Sequence, residues 1–165
     1  MKAVGYHQPL PIDNPESLQD IELPAPVPGA RDLLVRVKAV SVNPVDTKVR
    51  KNAAPEAGQA KVLGWDAVGT VEAVGGAVTR FKPGDRVYYA GSIVRPGANS
   101  ELHTVDERIA PLAPRSLDDA QAAALPLTTL TAYELLFDRL GVPQGGGAGQ
   151  TLLIVGGAGG VGSIL

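Results

Sequence analysis

Cysteine is absent from the 165 residues, and histidine occurs only twice, at His7 and His103. Such a chain can build no disulfide and no thiolate metal site. Excess positive charge is also missing: 15 Lys and Arg face 17 Asp and Glu, a formal charge of −2, and no basic stripe stands out. That speaks against nucleic acid as a partner. No apolar run reaches membrane-spanning length, and the opening MKAVGYHQPLPID has no apolar signal-peptide centre. The expectation is a cytoplasmic protein with no membrane partner.

What the chain does have is glycine and proline, 20 and 14 residues. They are clustered rather than repeated, so they mark turns between short strands and one glycine-rich loop. Up to about Pro114 the pattern predicts strands over Lys2–Tyr6, Leu18–Leu23, Asp32–Val42, Gly69–Val74, Arg86–Ala90, Glu101–Val105 and Arg108–Leu112. In the third of these, Leu33, Val35, Val37 and Ala39 share one face, opposite Leu34, Arg36 and Lys38. Several short strands at this spacing suggest a barrel or sandwich. One short polar helix fits between Pro44 and Asn52.

Beyond Pro114 the period becomes helical. Ser116 as N-cap with Asp119 reaching back opens an Ala-rich helix to Ala124. Thr128 or Thr129 can cap a second helix running to Leu140. A Gly/Gln linker then leads to an apolar strand, Thr151–Val155, and directly into GGAGGVG. Gly157, Gly159 and Gly162 satisfy G-x-G-x-x-G. Glycine is needed there for a tight turn, for close approach of backbone N–H groups to a pyrophosphate, and for close packing of helix on strand. A Gly-rich linker mimics the same pattern, and the acidic residue expected about 20 positions further on falls past Leu165.

Three more segments precede this loop in order: VKAVSVNPVDTKVR (Val37–Arg50), GWDAVGTVEAVG (Gly64–Gly75) and LPLTTLTAYELL (Leu125–Leu136). Together the four closely resemble the medium-chain dehydrogenase/reductase superfamily, in particular its quinone oxidoreductases and zinc-type alcohol dehydrogenase-like members. The resemblance covers nearly the whole chain. It implies a mainly β, GroES-like domain (a partly open barrel) over residues 1–115, then a helical connection and linker over 116–150. Residues 151–165 would begin an α/β Rossmann domain. The chain would thus be the N-terminal part of a two-domain enzyme that is a homodimer when full-length.

The resemblance also locates a site. Zinc-dependent members carry a catalytic Cys where this chain has Asn43 and a His-Glu pair where it has Trp65-Asp66; their third ligand falls near Leu127. The lobe that holds a structural zinc is replaced by Gly91–Asn99. Amide, indole and isobutyl groups cannot form a tetrahedral zinc set. Both histidines read as partly exposed strand residues. The implied metal is none, and the implied cofactor is NADPH, with NADH as the alternative. Cofactor contacts fall to Thr131 and to Gly156, Gly157, Ala158, Gly159, Gly160, Val161 and Gly162.

Without a Lewis acid, simple alcohol oxidation is hard. Hydride transfer to a quinone or an α,β-unsaturated carbonyl stays feasible if fixed donors stabilise the developing oxyanion. Asn43 is the leading donor and Lys48 the second, at a position where quinone oxidoreductases often have Tyr. Asp46 would orient neighbours. Trp65 would wall the cleft or belong to the core, and Asp66 would relay protons or act as a hydrogen-bonded structural acid. Tyr88 and Tyr89 alternate, so at most one faces the cleft. The competing readings are a non-catalytic binding or structural protein and a zinc alcohol dehydrogenase with replaced ligands. For the 165-residue chain alone, the expectation is a loosely attached 116–165 segment and little or no NADPH binding.

Overall fold

The computed structural model describes residues 1–165. The elements are β1 (Lys2–Tyr6), β2 (Gln19–Glu22), β3 (Asp32–Ser41), α1 (Pro44–Asn52), β4 (Lys61–Val62), β5 (Asp66–Val74), β6 (Arg86–Ala90), β7 (Leu102–Asp106), α2 (Asp119–Ala123) and α3 (Pro126–Tyr133). One turn of π-helix, Glu134–Arg139, prolongs α3. The strands form two antiparallel sheets, ordered β2-β1-β4 and β6-β5-β3-β7.

β3 is the longest strand, and its alternation decides where the core lies. Leu33 and Val35 are fully buried, with Ala67, Val71, Val87, Tyr89 and Val105 contributed by the other strands of the same sheet. Irregularities at Leu34/Val35 and Val37/Ala39 bend β3 against β5. The approach is so close that a Cβ on Gly69 would lie 2.3 Å from the Arg36 carbonyl oxygen, so only glycine fits there. A smaller core of Tyr6, Leu63 and Trp65 receives Val45 and Val49 of α1. On the other face of β5, Val68 packs against Ala122 and Ala123 of α2.

Two buried or half-buried charges brace the connections. Glu107, 1% exposed, accepts the backbone N–H groups of Thr79 (3.1 Å) and Arg80 (3.2 Å) and pairs with Arg31. These bonds hold its carboxyl below the usual range. Arg86 of β6 reaches Asp119 and the carbonyls of Pro114 and Leu117, pinning the chain that leads into α2.

Several sequence expectations require correction. Residues Arg108–Leu112 do not form a strand: Glu107–Ile109 is a 3-10 turn capped by Asp106, and only Leu112 bridges to Val87. Lys61–Val62 pairs with β1, a strand too short to show alternation. The capping box lies two residues later than Ser116: Asp118 accepts the Gln121 N–H at 2.8 Å, and Gln121 returns the bond. Both tetrads fit the template, and the later one wins. α3 begins at Pro126, ahead of both threonines. The Thr128 hydroxyl bonds back to the carbonyls of Ala124 and Leu125 instead of capping. Thr151–Val155 is not a strand. A strand exists only when its N–H and C=O groups are paired, and no strand runs beside this segment; Leu153 and Val155 are 85% and 91% exposed.

Candidate active site

Asn43 stands at the end of β3 and starts α1. Its extended backbone (φ −123°, ψ 162°), Pro44 at the first helical position and Asp46 at the third are what a helix start asks for. Asp46 Oδ2 accepts the Asn43 backbone N–H at 2.7 Å, and Oδ1 accepts the Gly64 N–H at 2.9 Å. One buried carboxylate therefore ties the start of α1 to the segment entering β5.

Asp66, the first residue of β5, lies alongside. It is 1% exposed. Its Oδ2 accepts the Asn43 side-chain N–H at 2.8 Å, and its Oδ1 accepts the backbone N–H of Leu127 at 2.8 Å. The second N–H of Asn43 has only a long contact, 3.5 Å, to the Ser41 carbonyl. Three of the residues at expected site positions, Asn43, Asp46 and Asp66, thus form one connected cluster, and Leu127 joins it through its backbone rather than its side chain.

Burial pushes the Asp66 carboxyl up to about 6, with the nearby Asp46 charge acting the same way and the bonds from Asn43 and Leu127 opposing. This gives a testable pH dependence. The folded chain holds that proton more tightly than the unfolded chain, where the carboxyl titrates near 3.8. The stabilisation is full below about pH 4 and is lost as pH rises to about 6, amounting to about 3 kcal/mol. We expect Asp66→Asn to reduce the stability difference between pH 4 and pH 7 by about that amount, measured by denaturant unfolding across the range. An unchanged difference would remove Asp66 as the titrating group.

The remaining expected residues are more scattered. Lys48 is exposed on α1, one turn beyond Pro44. Thr131 is exposed, and its hydroxyl donates to the Leu127 carbonyl at 2.7 Å. Trp65, 2% exposed, is enclosed with Tyr6 and with Leu63, two residues before it on the same side of the chain. Tyr89 faces the main core, while Tyr88 packs on the α2 side. His103 is not partly exposed as expected. It is buried at 5%, its Nδ1 2.9 Å from the Tyr89 hydroxyl and its Nε2 3.0 Å from the Pro96 carbonyl. A carbonyl only accepts, so Nε2 carries the proton and Nδ1 accepts from Tyr89. Burial lowers this imidazole to about 4. His7 is exposed.

The glycine loop winds on itself as turns. Gly159 N–H donates to the Gly156 carbonyl at 2.9 Å, and Ser163 N–H to Gly159 at 2.9 Å, the latter spaced as in a helix. A Cβ on Gly162 would lie 2.6 Å from the Gly156 oxygen, so no side chain fits there. Gly156, Gly159, Val161 and Gly162 border a cavity of about 280 Å³ whose other walls are apolar, including Leu135, Leu136 and Leu140. Gly157, Ala158 and Gly160 complete the turn outside that cavity. The largest groove, about 780 Å³, lies elsewhere, between Ile21, Leu23, Gln59, Pro96 and His103, and contains none of the expected site residues.

Residues 29–116 match the alcohol dehydrogenase GroES-like domain. The chain belongs to that family, within the medium-chain dehydrogenase/reductase superfamily. It is 44% identical over 166 residues to a zinc-type alcohol dehydrogenase-like protein of Staphylococcus epidermidis, covering 99% of this chain and 49% of that protein. A provisionally named zinc-dependent alcohol dehydrogenase of Rhizobium etli superposes with a TM-score of 0.92 at 60% identity, over 99% of this chain and 48% of that one. The Escherichia coli quinone oxidoreductase, solved with NADPH, gives 0.71 at 34% identity, over 82% of this chain and 40% of that one. The chain spans about half the length of the curated relatives it matches.

Proposed function

We propose that the full-length protein is an NADPH-dependent reductase of quinones or α,β-unsaturated carbonyls that works without zinc. The observation that carries this reading is the amide of Asn43, held by a buried acid with one N–H left over for a substrate oxygen. A dinucleotide with its pyrophosphate seated at Gly156–Gly162 would supply the hydride from its nicotinamide. Asn43 then donates to the oxygen that gains negative charge, which is where a fixed donor lowers a barrier most. Asp66 sets the plane of that amide, and Asp46 fixes the turn on which it stands. Lys48, exposed at the first turns of α1, serves as the second donor, a cationic one, near the nicotinamide, and Thr131 as a hydroxyl on α3 facing it.

Zinc does not fit these residues, although relatives carry it in their names. At the three ligand positions the chain offers an amide committed to Asp66, an indole enclosed in the core, and a leucine. No three His, Asp or Glu side chains converge elsewhere. We expect the purified full-length protein to hold far less than one zinc per chain and to keep its activity in chelator. Stoichiometric zinc bound in this cleft overturns that part of the reading. The activity itself is tested by NADPH fluorescence quenching together with turnover on a panel of quinones and enones. Binding and reduction support it, and a protein that binds NADPH yet reduces no member of the panel refutes it.

A further inference from the structure

The two oxygens of Asp66 serve two different elements. One takes the Asn43 amide, the other the N–H of Leu127. Leu127 is the second residue of α3, and its N–H is one of the four that a helix leaves without an internal partner. The residue before α3, Leu125, supplies no side-chain cap. Asp66 therefore caps this helix from 61 residues away, with a charged acceptor at the positive end of the helix dipole. Next to Leu127, Thr128 meets the glycine turn: a Cβ on Gly160 would stand 3.1 Å from Thr128 Cγ2. The same short stretch of α3 thus touches the acid on one side and the loop on the other. Asp66 is 1% exposed and both its oxygens are taken up, by Asn43 and by Leu127, so neither is left for a substrate.

We propose that Asp66 is a positioning residue that fixes the Asn43 amide relative to the glycine loop by binding the start of α3. The proposal rests on the reading of Asn43 as the oxygen donor and of the loop as the cofactor seat. Removing the carboxylate does two separable things. It frees the first turn of α3, and with it the surface on which Gly160 rests, and it lets the Asn43 amide rotate. Asparagine at position 66 separates the two. Its carbonyl still accepts the Leu127 N–H, but its NH₂ now faces the NH₂ of Asn43. Two donors cannot pair, so Asn43 must turn its carbonyl inward, and the free N–H moves away from its native direction.

The experiment uses full-length protein with wild-type, Asp66→Ala and Asp66→Asn, and reads three quantities. These are amide exchange over residues 127–131, NADPH affinity by fluorescence, and kcat and KM for a quinone. For Asp66→Ala we expect exchange in the first turn of α3 at least tenfold faster while β3 and β5 stay protected, NADPH affinity weakened at least fivefold, and kcat lowered at least tenfold with KM for the quinone within twofold. For Asp66→Asn we expect exchange and NADPH affinity within about twofold of wild-type but kcat still reduced at least tenfold. A merely structural acid would move all three together. Unchanged exchange in Asp66→Ala overturns the proposal, as does loosened α3 with unchanged affinity and kcat. Should Asp66→Ala not fold, Asp66→Asn decides: helix protection restored with kcat reduced supports the role, and both intact or both lost overturn it. Wild-type protein that binds no NADPH sinks the functional reading itself, a result distinct from unchanged exchange in an active wild-type background.

Discussion

Asn43→Ala in the full-length protein is expected to lower kcat by about 10²–10³, equal to roughly 2.7–4 kcal/mol of transition-state stabilisation, with NADPH affinity little changed. The size follows from the work assigned to the amide. Hydride arrival at the substrate carbon sends an electron pair to the oxygen, and a donor fixed beforehand stabilises that charge without reorganising. Asn43 is fixed on both sides: its backbone by Asp46, its side chain by Asp66. The substitution also strips Asp66 Oδ2 of its partner inside the protein, so about 1–3 kcal/mol of stability should go with it. That loss must be separated from the kinetic one. The comparison is therefore made well below the unfolding midpoint, with the folded fraction checked. Asn43→Asp serves as a second probe, because two facing carboxylates cannot both ionise in a buried site and the variant should regain activity only toward acid pH. An unchanged kcat in folded Asn43→Ala removes Asn43 from the chemistry.

How much of this was legible beforehand depended on how local the cause was. The alternation in Asp32–Ser41 and Arg86–Ala90 belongs to each segment alone, and both strands lie within a residue of the expected limits. The start of α1 was equally local, since Asn43, Pro44 and Asp46 are consecutive or nearly so. Where two local answers competed, as with Ser116/Asp119 and Asp118/Gln121, composition alone could not choose between them. The cap of α3 was out of reach for a different reason. Its donor and acceptor are 61 residues apart, and the donor is a backbone N–H that leaves no mark on residue choice. The burial of His103 has the same character: what encloses it, Tyr89 and Pro96, is set by sheet register rather than by the residues beside it in sequence. Thr151–Val155 shows the converse, for an apolar run states a preference while a strand needs a neighbour.

Trp65→Ala is expected to cost about 3–5 kcal/mol of stability, the largest loss from any single truncation in the smaller core. Trp65 is 2% exposed and packs with Tyr6 and Leu63 beneath Val45 and Val49 of α1. Deleting the indole leaves a cavity that this neighbourhood cannot close by itself. Tyr6 is held by its hydroxyl to the carbonyls of Ala53 and Val49, at the far end of the same helix, so it is not free to move inward. The indole Nε1 has no hydrogen-bond acceptor among the protein groups around it, and a buried N–H left without one costs about 1–3 kcal/mol. Trp65→Phe removes that N–H along with part of the ring, so the two effects oppose, and the variant should lose far less than Trp65→Ala. The pair also separates a core tryptophan from a cleft wall. A core residue changes the unfolding free energy and leaves KM for the quinone nearly constant in the folded fraction. A wall residue does the reverse. Guanidinium unfolding and steady-state kinetics on both variants measure this. A stability loss under about 1 kcal/mol for Trp65→Ala, joined to a raised KM, would return Trp65 to the substrate cleft and α1 would have to be supported by other contacts.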